Sequence, residues 1–129
     1  MFRDPTKLKV FNLADELALE VYRLANGFPS EDRSGLDAQL RRAALSVPLR
    51  IMEGCRRGGE QAFLQGLSSA AEASSDGRYL TGLAEQLGLL APEISRPTQE
   101  RFQHLTMALY GLRKAVSKPR DRAAETVEG

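Results

Sequence analysis

Apolar positions recur at helical spacing in four stretches of the chain, and nowhere do apolar and polar residues alternate with β-branched enrichment as a half-buried strand requires. In the first stretch Val10, Ala14, Leu17, Val21, Leu24 and Phe28 step by fours and threes, and Phe11, Ala18, Tyr22 and Ala25 form a second line beside them. That spacing predicts a helix from about Leu8 to Asn26. Gly27 offers a left-handed cap and Pro29 blocks continuation. A second helix is expected from Gly35 or Leu36, with Leu36, Leu40, Ala43, Val47 and Ile51 facing the core and Gly54, Gly58 and Gly59 ending it. Pro48 lies inside this pattern and is expected to kink the helix near Ala44, because proline lacks the amide hydrogen and its ring crowds the preceding turn. A third helix is expected over Glu60 to Leu87, through Phe63, Leu67, Ala70, Leu80, Leu83, Ala84 and Leu87. Its middle is rich in serine and glycine, which are poor helix formers, so it depends on tertiary packing; a competing reading is that the small residues admit a neighbouring helix. Gly88 to Pro97 reads as a loop. Phe102, Leu105, Leu109, Leu112 and Val116 then give a fourth helix with Pro97 in its first turn.

Four helices joined by short loops predict an all-α, antiparallel up-down-up-down four-helix bundle. A single domain is expected over 1–117, with a flexible polar tail over 118–129, where periodicity stops.

The second helix carries more than a core stripe. Leu45, Leu49 and Met52 form a second apolar line, while Gln39, Arg42, Ser46, Arg50, Glu53 and Arg57 share a polar face. A bundle helix needs one apolar stripe to fill its own core. The second stripe either widens that contact or meets another subunit; the doubled apolar face of the first helix favours a homo-oligomer.

Charge changes the picture only when read along the chain. Eighteen Lys+Arg against seventeen Asp+Glu leave a net charge of +1, which excludes a generally basic nucleic-acid coat. Yet Arg41, Arg42, Arg50, Arg56 and Arg57 are opposed by Glu53 alone within 41–57. The flanks are acidic: Asp15, Glu16, Glu20, Glu31, Asp32 and Asp37 before it, and Glu60, Glu72, Asp76, Glu85, Glu93 and Glu100 after it. The arginine fork matches phosphate geometry, so these five arginines are candidate nucleic-acid contacts. Alternatively, they pair with acids between helices or subunits. No aromatic residue interleaves with them along the sequence, so base stacking is not supported at this level.

Catalytic chemistry finds little footing. One cysteine, Cys55, and one histidine, His104, exclude a Cys-cluster zinc site, a His-rich metal site and a disulfide framework within the chain. Ser46 reads as a helix serine bonding back to a carbonyl, Glu53 as a partner for Arg50 or Arg57, and His104 as a rim residue. Gly58-Gly59 before a helix is no P-loop without a preceding strand. No enzymatic activity, metal or cofactor is expected. No apolar run is long enough to span a membrane and Met1 to Pro5 lacks the apolar core of a signal peptide, so a cytoplasmic location is expected.

The run from Gln39 to Pro48, followed by Ile51 and Glu53-Gly54, resembles a bacterial four-helix-bundle family often encoded in intervening sequences of 23S ribosomal RNA genes. Leu8, Val10, Phe11, Ala14, Leu17, Tyr22, Phe28-Pro29, Glu31 and Gly35-Leu36 upstream are similar to it, and Phe63, Leu67, Leu87 and Gly88 fit more loosely. Departures are Arg50 for the family's Asn, Met52 for its Ala, Gly59 for the Ser/Thr that opens the third helix, and Ala62 for the Glu that follows. The last two remove a capping box. An acid pair in the third helix is reduced to Asp76. The resemblance implies a cytosolic bundle that assembles into a ring, a pentamer, with no established enzymatic activity; a related bundle binds nucleic acid beside a reverse transcriptase. Two functions stand as expectations: an oligomeric RNA- or DNA-binding accessory module, and a structural or protein-interaction ring without a nucleic-acid ligand.

Overall fold

A computed structural model describes the backbone of residues 3–29 and 34–128, with side chains as far as Ser117. After a single 3-10 turn at Pro5–Lys7, four helices follow: α1 (Lys9–Ala25), α2 (Leu36–Arg57), α3 (Glu60–Gln86) and α4 (Pro92–Glu128). No strand occurs among the described residues, and the chain is an all-α four-helix bundle. Helices α2 and α3, and α3 and α4, pack closely along their lengths; α1 lies against α2 and touches α4 more sparsely.

The core follows the predicted seams with local shifts. Val10, Ala14, Leu17, Ala18, Val21, Ala25 and Phe28 are buried from α1 and its exit. From α2 the buried set is Leu36, Leu40, Ala44, Val47 and Ile51, so Ala44 takes the place expected for Ala43, which is only half-buried. Phe63, Leu67, Phe102, Leu105 and Leu109 complete the centre. Helix α2 runs unbroken through Pro48, whose ring is buried.

The helix ends differ from expectation in three places. Gly27 keeps a negative φ; α1 closes instead by short turns in which the Gly27 and Phe28 amides donate to the Leu24 and Ala25 carbonyls. Gly54 does not end α2 but is buried inside it. The α2–α3 corner is made by Gly58 and Gly59, with φ of 75° and 84° and ψ near 155°, a region almost closed to residues with a Cβ. Helix α4 begins at Pro92 rather than with Pro97 in its first turn, so Pro97 stands further inside the helix. Proline suits the first helical position, so Pro92 starts the helix, while the exposed Pro97 sits within it between the buried Ser95 and Thr98. The backbone stays helical from Lys118 to Glu128, across most of the stretch read as a tail, whose side chains lie outside the described residues.

Small residues in α3 mark the closest helix contacts. A Cβ on Gly66 would stand 2.8 Å from the Arg50 carbonyl oxygen and 2.9 Å from Gly54 Cα. A Cβ on Gly77 would stand 2.3 Å from the Phe102 ring. Helices α2 and α4 thus approach α3 where it has no side chain, which is the competing reading of its composition.

Candidate nucleic-acid interface on α2

The six residues of the α2 polar face, Gln39, Arg42, Ser46, Arg50, Glu53 and Arg57, all border one groove, between α2 and α3. The antiparallel pairing of these helices is pinned by the Gly54–Gly66 crossing, and a hollow opens on this groove in each half. Gln39, Arg42 and Ser46 line the first, of about 470 Å³, facing Asp76 and Tyr79 of α3. Arg50, Glu53 and Arg57 line the second, of about 220 Å³, facing Gln65, Gly66 and Ser69. With about 1.5 Å rise per residue, the ridge from Arg42 to Arg57 is about 22 Å long. All six residues read as one polar face therefore share one groove.

The five arginines are in different states. Arg41 donates to Asp37 Oδ2 at 3.1 Å and to Asn26 Oδ1 at 3.0 Å, and its guanidinium stands 5.8 Å from the centre of the Tyr22 ring. It is held on the α1 side, away from the groove. Arg50 reaches Glu53 at 3.2 Å on its own helix, an exposed pair of small energetic weight. Arg42, Arg56 and Arg57 make no ion pair with any described residue, and all three are exposed. Ser46 donates to the Arg42 carbonyl at 2.7 Å, the back-bond expected of it.

The second apolar line is open to solvent. Leu45 and Leu49 are 40% and 45% exposed and Met52 is half-buried, with Leu19 and Tyr22 of α1 also exposed. The core of the chain itself does not cover this stripe, so core widening explains only part of it.

Sequence order hid one residue. Tyr79, on α3, lines the same hollow as Arg42 and is 69% exposed. An aromatic ring does stand among these polar groups, brought there by the turn between α2 and α3. The signal for it in the sequence was its place in the helical repeat of α3, opposite the core positions.

Other candidates resolve as structural or peripheral. Cys55 is buried, and desolvation pushes its thiol above the usual range, which suppresses the nucleophilic thiolate. His104 is exposed on the rim of the larger α1–α4 cleft of about 810 Å³, where Arg101 of α4 donates to Glu20 of α1. Gly59 gives α3 no side-chain cap, as its replacement of Ser/Thr implies. Among the described residues no group of three or more His, Cys, Asp or Glu could hold a metal ion, and no helix is long and apolar enough to cross a membrane.

A family model described as 23S rRNA-intervening sequence protein matches residues 6–111. The chain belongs to this family. The match takes in α1 to α3 and the first half of α4, so the α2 groove falls wholly within the region that defines the family. No curated protein matches the chain.

Proposed function

We propose that this 23S rRNA-intervening sequence protein is a non-enzymatic, self-assembling cytoplasmic module that binds RNA or DNA phosphate through the polar face of α2. The observation that carries the reading is the pairing of two uncovered faces on one helix. Leu45, Leu49 and Met52 offer an apolar stripe to another subunit, and Arg42, Arg50 and Arg57 line the adjoining groove, two of them without an ion pair to any described residue. In a ring such as the family resemblance implies, a pentamer, the arginine groove repeats in every subunit and the fields add. Contacts to phosphate make affinity fall steeply with salt.

The test is a titration of labelled RNA and DNA at low and moderate salt. Binding at low salt that weakens with salt, and weakens again in Arg42→Ala/Arg57→Ala, supports the reading. No binding at either salt overturns it in favour of a structural ring, in which the free arginines meet acids across a subunit boundary. In that case the same double substitution shrinks the particle on a sizing column.

A further inference from the structure

Tyr79 stands as a wall between two hollows. On one side lies the α2–α3 hollow with Gln39, Arg42, Ser46 and Asp76; on the other a hollow of about 350 Å³ between α3 and α4, lined by Ser75, Arg78, Gln86 and Gln99. Its ring makes no described aromatic or cation contact and remains 69% exposed. Arg42 and Arg78, one in each hollow, form no ion pair with any described residue. A large bare ring with such a guanidinium on each side has the makings of a stacking platform: the ring offers its face, and the cations sit where a backbone enters and leaves.

We infer that Tyr79 stacks an unpaired base while Arg42 and Arg78 hold the flanking phosphates, so that the nucleic acid this protein takes is single-stranded. The inference rests on the nucleic-acid reading above and deepens it. In a duplex the base faces are spent on each other; only a single strand, loop or end can lay a base on a protein ring. Asp76 fits this arrangement better than a pure phosphate cradle. A carboxylate repels phosphate but accepts a hydrogen bond from the exocyclic amino group of a base. With Gln39 beside it, the α2–α3 hollow has polar groups suited to a base edge, and the arginines at its margins suit the backbone.

The experiment compares a short labelled single strand of mixed sequence with its own duplex at low salt, using the full chain. Wild type is expected to bind the single strand more tightly. Tyr79→Ala lowers single-strand affinity by about 5- to 100-fold and leaves duplex affinity unchanged, while Tyr79→Phe retains the ring and the affinity. The chain has three tyrosines and no tryptophan, so the variant Tyr22→Phe/Tyr110→Phe leaves Tyr79 as the emitter, and its fluorescence falls on titration with the single strand. An unchanged single-strand affinity in Tyr79→Ala, or binding without quenching, overturns the stacking role while leaving the arginine reading intact. A smaller particle for Tyr79→Ala with both affinities reduced together also overturns it, and makes Tyr79 a subunit contact. Absence of binding to either form at low salt defeats the arginine reading itself. Because Tyr79 is exposed, a thermal melt of Tyr79→Ala matching wild type checks that the fold is retained.

Discussion

The two long seams of α3 use the same device and spend their polar groups differently. Toward α4, Gly77 receives the Phe102 ring, and the buried or half-buried polar side chains around it are committed to the fold. Ser74 donates to the Phe102 carbonyl at 2.8 Å, Thr81 to Gly77 at 2.7 Å, Ser95 to Thr81 at 3.3 Å, and the Gln99 amide to the Ser95 hydroxyl at 3.0 Å. Toward α2, Gly66 receives Gly54, yet the polar side chains flanking that crossing remain open: Arg42 and Arg57 pair with no described residue and Arg50 holds only its own helix neighbour. A buried hydroxyl must find a partner or cost free energy, whereas an exposed guanidinium is free to keep its bonds for a ligand. The buried polar groups of the α3–α4 seam therefore serve the fold, while Arg42 and Arg57 on the rim of the α2–α3 groove are not tied to it by any described ion pair.

Substitutions should separate the seams in that order. Phe102→Ala empties the Gly77 notch and is expected to cost about 3–5 kcal/mol in a denaturant melt. Gly66→Ala drives a Cβ against the Arg50 carbonyl and Gly54 backbone, neither of which is the end of a flexible side chain, and is expected to cost about 1–3 kcal/mol. Ser74→Ala removes one buried hydrogen bond and should cost about 1 kcal/mol. Arg42→Ala and Arg57→Ala, by contrast, should shift stability by no more than about 0.5 kcal/mol in either direction. A stability loss at Arg42 or Arg57 as large as that at Ser74 would erase the distinction between the seams.

The bundle itself was legible because its information is periodic. Leu40, Val47 and Ile51, or Val10, Leu17 and Val21, state their buried face by spacing alone. What escaped was set by geometry between elements. The start of α4 turned on which of two prolines suits a helix end, and spacing does not rank Pro92 above Pro97. Gly54 read as a helix terminator because its reason for being glycine is Gly66, a partner on another helix. The polar face of α2 was legible as a face, but not that α3 walls it into a groove, and Tyr79 joined it only through the antiparallel packing of α2 on α3. Arg41 shows the reverse: it is part of the basic run in sequence, and Asp37, Asn26 and Tyr22 turn it to the α1 side.

If Arg42 and Arg57, which pair with no described residue, are kept for phosphate, each neutralises a phosphate of a bound strand. The slope of log affinity against log salt for a single-stranded oligonucleotide, measured for wild type and Arg42→Ala/Arg57→Ala, tests it most directly. A salt-dependent wild type is expected, with a slope reduced by about 1.4 in the double variant, about 0.7 for each phosphate that an arginine no longer neutralises. An identical slope in both proteins would contradict it.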